Sequence, residues 1–345
     1  MKSLEQVFLA SKNKLASVLV AGSLAVGGCA SIRMGNYPSP TFPTTYFNLE
    51  ELGVHGTPNE KNGIVYTRDG GHIDIAHARI CADFTRDIAL KFYSALMEEK
   101  NSFEIYYEKN NFIFEIKYPR NWSLNPNKHD ISLRISRGVA PRYSYDIATW
   151  HEIATWFGLK TTGIFPEFQS SFSWEDNYSN LLGALVGLEA IKRSGDYNKN
   201  ATDSFKEAFI ELGIQQKEIA RAAGDAVAGK WFDYSITEFG FADMKKRHLD
   251  IGLDNGYVTP WIVPGICAGA KPRPLPVPSI DFIKNYGFDI RMLIEPRFSE
   301  KRRIYEVLNL NNESKIIPEQ HFRKLMEEIK REAICRYKDP NCDKP

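Results

Sequence analysis

Residues 74–96 read DIAHARICADFTRDIALKFYSAL. Ile80, Cys81, Phe84, Ile88, Phe92 and Leu96 step mostly by three and four, the period of a helix with one apolar face. Asp74 stands where a cap carboxylate meets the first unpaired amides, and Gly70-Gly71 just before it permits a tight entry. Past this helix the period changes to two. Phe103-Glu104-Ile105-Tyr106-Tyr107 and Phe112-Ile113-Phe114-Glu115-Ile116 alternate faces around Lys109-Asn110-Asn111, as a hairpin does. Ile64-Val65-Tyr66-Thr67 reads as a short strand ahead of the helix, and Ile131-Ser132-Leu133-Arg134-Ile135 as a third strand beyond it.

Downstream, helical patterns are expected over residues 143–158 and 173–193, the second opened by Ser173 as N-cap with Asp176 three residues later. Residues 204–212 and 215–228 form a helical pair around Gly213. After Gly256 the chain turns to short strands and Pro-rich loops, with residues 270–278 as a stiff connection. A strand over 288–294 and a helix over 318–337 finish the chain. These patterns predict an α+β fold: a mainly helical core with a small antiparallel sheet and a β-rich C-terminal part. It is read as one globular domain over residues 64–345, with a subdivision near residue 256 as the alternative.

Upstream, Lys2, Lys12 and Lys14 precede an apolar run over residues 15–26, too short to span about 30 Å of hydrocarbon. It closes on Leu24-Ala25-Val26-Gly27-Gly28-Cys29, which looks like a bacterial lipobox. Residues 1–28 are therefore expected to be a lipoprotein signal peptide, with Cys29 the acylated first residue and residues 29–63 a Pro-containing tether. A plain secretory signal with an incidental cysteine is the alternative. Ala30-Ser31 after the cysteine, with no Asp, resembles an outer-membrane sorting signal. The expected address is the cell envelope, as an outer-membrane lipoprotein facing the periplasm or the surface, with the membrane as a partner through the lipid anchor.

Removing the signal takes away three Lys and one Glu, so the formal charge passes from +1 to −1. Such a balance, with no basic patch, gives no support to nucleic-acid binding. Hydrophobic content of 43% and aromatic content of 12% indicate an ordered globule. In an oxidising envelope a disulfide between Cys335 and Cys342 is expected across the turn at Asp339-Pro340-Asn341, and Cys81 reads as a buried thiol. The chain contains no CxxC pair, which disfavours a thiol oxidoreductase or a structural zinc knuckle.

Three segments gather residues that a core does not require. Around His72, Asp74, His77 and Arg79, a carboxylate and an imidazole share one helical face, suited to orienting a base or to ligating a metal. In Trp150-His151-Glu152-Ile153-Ala154-Thr155-Trp156, a zinc-protease helix would need a second His where Thr155 stands, so that family is rejected. Asp176, Asn180, Gly183 and Gly187 form a small polar stripe, fit for close helix packing or the floor of a pocket. These three blocks, in this order, resemble a family of bacterial lipoproteins of unknown function, DUF4056, across roughly residues 64–240. The resemblance implies an exported lipoprotein and supplies no reaction, cofactor or catalytic residue.

From the residues themselves, the expected activity is an envelope hydrolase acting on a polymer or lipid. Asp74, His77, His151 and Glu152 are the catalytic candidates, and His72, Arg79, Asp176 and Asn180 the ligand-binding ones. His77, His151 and Asp74 would form the ligand set if a divalent metal such as zinc serves, with one position left open. The rival expectation is a non-enzymatic envelope lipoprotein that binds a partner through Trp150, Trp156, Phe157, Phe165, Phe168, Phe172 and Trp174, although their helical spacing suits core packing.

Overall fold

The computed structural model describes residues 45–108, 110–159, 168–233, 243–296, 301–311 and 313–337. A first hairpin, β1 (Ile64–Thr67) and β2 (Gly71–Asp74), leads directly into α1 (Ile75–Glu98). A second hairpin, β3 (Ser102–Tyr107) and β4 (Asn110–Lys117), leads to α2 (Lys128–Trp156) and then α3 (Asp176–Lys192). The pair α4 (Tyr197–Glu211) and α5 (Lys217–Val227) turns at Gly213, whose φ of +72° suits glycine. Short strands follow: β5 (Phe232–Asp233), β6 (Asp243–Met244), β7 (Tyr257–Val258) and β8 (Leu275–Pro276). The chain then adds β9 (Asp289–Glu295), α6 (Lys301–Leu308) and α7 (Pro318–Tyr337). The class is α+β, helix-rich with small antiparallel sheets, as the sequence patterns predict.

Three helices place the site. α1 lies between α2 and α3 and makes its most extensive contacts with them. Asp74 caps α1 by accepting from the amides of Ala76 at 2.7 Å and His77 at 3.3 Å. Gly183 faces Ala78 and Gly187 faces Ala82, so α1 and α3 run in the same direction with their N-termini together. A Cβ on Gly183 would sit 2.0 Å from the Ala78 carbonyl oxygen, which is why this stripe is glycine. Ser144 Oγ donates to the Cys81 carbonyl while Glu152 acts on His77, so α2 runs the opposite way. The C-terminal turns of α2 therefore meet the N-termini of α1 and α3.

The sheet β3–β4–β9 is antiparallel, and its central strand β4 packs along α1 and α2. Phe112, Phe114 and Ile116 of β4 are buried, Phe114 packing on Phe92 and Tyr143 at ring distances of 5.2 Å. Residues 131–135, expected as a strand, belong to α2 instead. Ile131, Ile135, Val139 and Tyr143 recur every fourth residue, and burial of the last three carries the helix through Pro141, whose missing amide would otherwise break it. The short alternation at 131–135 is a local coincidence inside that longer period.

The stretch from 45 to 63, expected as part of a tether, packs on the body. Thr45 O accepts from Ile64 N, Asn48 Oδ1 accepts from Lys217 N, and Leu52 and His55 are buried. At the other end, Trp156 Nε1 donates to Glu332 Oε2 at 2.8 Å and ties α7 to the end of α2. Cys335 on α7 is disulfide-bonded, whereas Cys81 and Cys267 are free thiols. Residues 1–28, expected as a signal peptide, and Cys29 and Cys342 lie outside the described residues. Trp150, Trp156, Phe157, Phe172 and Trp174 are buried, Phe168 is half-buried, and Phe165 lies outside the described residues. The described members of the aromatic set thus pack in the core and do not form an exposed surface. Among the described residues, no helix is long and apolar enough to cross a membrane.

Candidate functional site

Where the three helix ends meet, the chain assembles carboxylates and imidazoles. His77, in the first turn of α1, places Nδ1 3.0 Å from Asp176 Oδ1 at the start of α3. The contact is an ion pair whose direction falls short of a hydrogen bond. Asp176 is held on its other oxygen by the Ser173 amide at 2.7 Å, the reciprocal half of the capping arrangement expected at Ser173. Burial opposes charge on His77, but Asp74, Asp176 and Glu152 outweigh it and raise the imidazole well above its ordinary value. Asp176 is held below the usual carboxylate range despite its burial, because His77 and the Ser173 donors favour its charge. The pair is an imidazolium and a carboxylate, with His77 about one quarter exposed.

Glu152 lies on α2 beside this pair and is almost wholly buried. Its Oε2 accepts from the Phe172 amide at 2.7 Å. Phe172 has φ +54°, in the left-handed region that a bulky residue rarely occupies, and its carbonyl accepts from the His248 amide at 2.9 Å. A fully buried aromatic is thus held in a costly conformation that delivers an amide to a carboxylate, a pattern associated with functional sites. Burial, and then Asp176, push Glu152 up to about 7, against the pull of His151 and His77. Two carboxylates in one site are driven in opposite directions, the usual preparation for dividing acid and base roles.

His151, one residue earlier, pairs through Nδ1 with Glu108 Oε2. Glu108 follows the last residue of β3 with φ +45°, in the left-handed region, and Asn110 at the start of β4 accepts from Trp150 Nε1 at 3.1 Å. The hairpin tip is thereby pinned to the end of α2. Burial would raise Glu108, but His151 and also His77 hold it low. Glu175 is buried beside Asp176 and Asp74. Ser173 Oγ donates to its Oε1 at 3.0 Å, its Oε2 has no hydrogen-bond partner, and burial and those two carboxylates raise it well above its ordinary value. His248, buried against Trp261, is pushed down to about 4 by desolvation although Asp250, Asp176 and hydrogen bonds to the backbone of Trp174 and Thr259 pull the other way.

Of the residues expected from sequence, His77, Glu152 and Asp176 come together, with His151 at the edge of the group. Asp74 is present, but it serves as the cap of α1, and the carboxylate facing the His77 ring is Asp176. Asn180 approaches Cys81, its Oδ1 lying 3.4 Å from a thiol that burial raises, so both sit in the α1–α3 seam. His72 is placed in an aromatic box of Tyr66 and Trp174. Its Nδ1 accepts from Trp174 Nε1, its Nε2 faces the Ala220 carbonyl at 3.3 Å, and burial lowers it to about 4. Arg79 points to the other side of α1, donating to Leu52 O at 2.8 Å and to Glu60 at 3.4 Å. Both residues are engaged in holding the fold.

Among the described residues, no three of His, Cys, Asp and Glu are arranged to hold a metal ion. The expected set of His77, His151 and Asp74 is not gathered: each ring nitrogen faces a different carboxylate, and Asp74 is committed to two amides. Glu108, Glu175 and His248 were not legible as site residues. Glu108 sits in a hairpin turn, Glu175 looks like a helix-start residue, and His248 lies in a charged run with no periodic signal.

Residues 41–239, more than half of the chain, match a family described as proteins of unknown function, DUF4056. No curated protein and no solved structure matches the chain.

Proposed function

From the premise that the chain belongs to the DUF4056 family, whose description names no reaction, we propose that it is a lipid-anchored hydrolase of the bacterial cell envelope working by acid–base catalysis. The observation that carries this reading is Glu152, a buried carboxylate raised to about 7 beside the His77–Asp176 ion pair. Glu152 is the proton-handling group. His77 supplies a fixed positive charge for an oxygen that gains electron density, and Asp176 holds that imidazole in place. His151 and Glu108 form the rim. The lipobox-like Leu24 to Cys29 supports the address, with Cys29 as the lipidated residue. The donor set does not fit a metal site, so no step is routed through one.

The test uses the full chain in detergent, mixed with isolated envelope material, with release of soluble saccharide and free fatty acid as readouts. Glu152→Gln should lower release by about 100-fold or more, the usual size of a general acid–base contribution. Chelator should leave both activity and melting temperature unchanged. Equal release by wild type and Glu152→Gln overturns the catalytic assignment. No release by wild type favours the non-enzymatic alternative, an envelope lipoprotein that scaffolds or binds a partner.

A further inference from the structure

We propose that the scissile bond is a glycosidic linkage in an uncharged polysaccharide strand; this rests on the hydrolase reading above and narrows its substrate from polymer or lipid to glycan.

Charge is the first argument. The groups acting most strongly on Glu152, Glu175 and Asp176 are one another, Asp74, His77 and His151, and none is Lys or Arg. Arginines on the surrounding elements are already committed: Arg79 to Glu60 and Leu52 O, Arg142 to Asp146, and Arg247 to the carbonyls of Phe168 and Ser171. Two helix N-termini meet here, and helix N-termini are natural anion sites. The chain's own carboxylates fill both, Asp74 on α1 and Asp176 on the amide before α3. A phosphate ester would enter a site with more carboxylate than imidazolium and find its donors taken. A neutral sugar meets no such opposition.

Chemistry is the second. Acyl transfer needs a nucleophile next to a base, or a metal, together with oxyanion donors. The candidate nucleophiles are committed elsewhere or lack a base: Ser179 Oγ accepts from the Asp74 amide at 2.9 Å, Cys81 is buried against Asn180 with its thiol raised, and Ser173 Oγ donates at 3.0 Å to Glu175, a carboxyl raised well above its ordinary value and so a poor base. Glycoside hydrolysis instead asks for two carboxyl groups in different protonation states. Glu152 gives its proton to the bridging oxygen, and the bond from the anomeric carbon to that oxygen breaks with its electron pair staying on the leaving hydroxyl. Water oxygen bonds to the anomeric carbon, and its proton passes to the ionised Glu108, the most solvent-open carboxylate of the group. One water is consumed and two hydroxyls are formed.

The site also holds a buried polar atom without a protein partner. Glu175 Oε2 lies beside Asp176 and Asp74 and makes no hydrogen bond. A sugar hydroxyl can accept from a protonated carboxyl.

The probes are a soluble N-acetylglucosamine tetramer and a diacyl phospholipid in mixed micelles, each given to the full-length chain. The tetramer should be cut to shorter oligomers, with inorganic phosphate at millimolar concentration having no effect. Glu152→Gln should bind the tetramer within about threefold of wild type by calorimetry while cutting it at least about 100-fold more slowly. Cleavage of phospholipid alone, lost in Glu152→Gln, overturns the glycan assignment and leaves the acid–base reading standing. Cleavage of the tetramer undiminished in Glu152→Gln overturns the acid–base reading and leaves the glycan assignment standing. A tetramer that is neither bound nor cut overturns the inference.

Discussion

At the scale of single residues, the site depends on two side chains moved in opposite directions. Glu152 has a folded value near 7 against 4.5 outside the fold, so between those values the native state keeps a proton that the unfolded chain has lost. Stability contributed at this position therefore falls as pH rises from about 4.5 to 7 and stays reduced above. Glu152→Gln keeps an acceptor for the Phe172 amide and removes the buried charge. It should raise the melting temperature by a few degrees at pH 8 and by much less at pH 5, while abolishing turnover. Scanning calorimetry at the two pH values decides this, and equal shifts would sink it. The His77–Asp176 pair behaves differently. His77, raised, contributes stability that is complete below about 6.5 and is lost as pH climbs through its folded value; Asp176, lowered, contributes above about 3.8 and loses it as pH falls through its own. The pair is at full strength between those limits. Asp176→Asn should bring the His77 titration, followed by NMR of the ring protons, down toward the ordinary imidazole range. A titration left where it was would show that Asp74 and Glu152 suffice to hold His77.

At the scale of elements, the meeting of α1, α2 and α3 is what makes a site from separated motifs. Periodicity showed α1, α3 and the second half of α2, with His77, Asp176 and Glu152 on them, because three- and four-residue spacing is a local property that a sequence displays directly. It could not show that α1 and α3 run in the same direction. That follows from Gly183 and Gly187 opposite Ala78 and Ala82, a match across about a hundred residues that no local pattern encodes. The stripe of Asp176, Asn180, Gly183 and Gly187 is a close helix contact: the glycines let α3 approach α1, Asn180 meets Cys81 in the seam, and Asp176 at its start faces His77. The Glu108 turn was hidden for the same reason, since its value depends on where α2 ends. Gly183→Ala should cost about 3 kcal/mol in urea unfolding, because the Ala78 carbonyl is rigid backbone and the helices must part. It should also weaken catalysis by shifting Asp176 away from His77. An unchanged unfolding midpoint would mean the seam is looser than its geometry.

At the scale of the whole molecule, the boundary between tether and body is set by a buried cation. Composition over residues 29–63 reads as a tether because Pro and Gly are frequent there, and composition does not register a few well-placed polar contacts. Arg79 lies inside the fold with its guanidinium donating to Leu52 O and Glu60, and His55 bridges Arg79 and Asp83 while its ring packs on Phe205. Residues 45–63 thus belong to the folded body, and the lipid-anchor proposal leaves residues 29–44 as the span between membrane and body. A chain beginning at residue 64 keeps Arg79 and loses Glu60 and Leu52. Removing one partner of a buried pair strands a charge, at a cost of about 3–5 kcal/mol. A chain beginning at residue 45 should unfold at the same urea concentration as the chain beginning at Cys29, and one beginning at 64 at a much lower concentration or not fold at all. Replacing Arg79 by Met in the shorter chain should restore part of the loss, because an apolar side chain of similar length leaves no charge to strand. If the two shorter chains unfold at the same midpoint, the segment is a tether after all, and the Arg79 network contributes nothing to the fold.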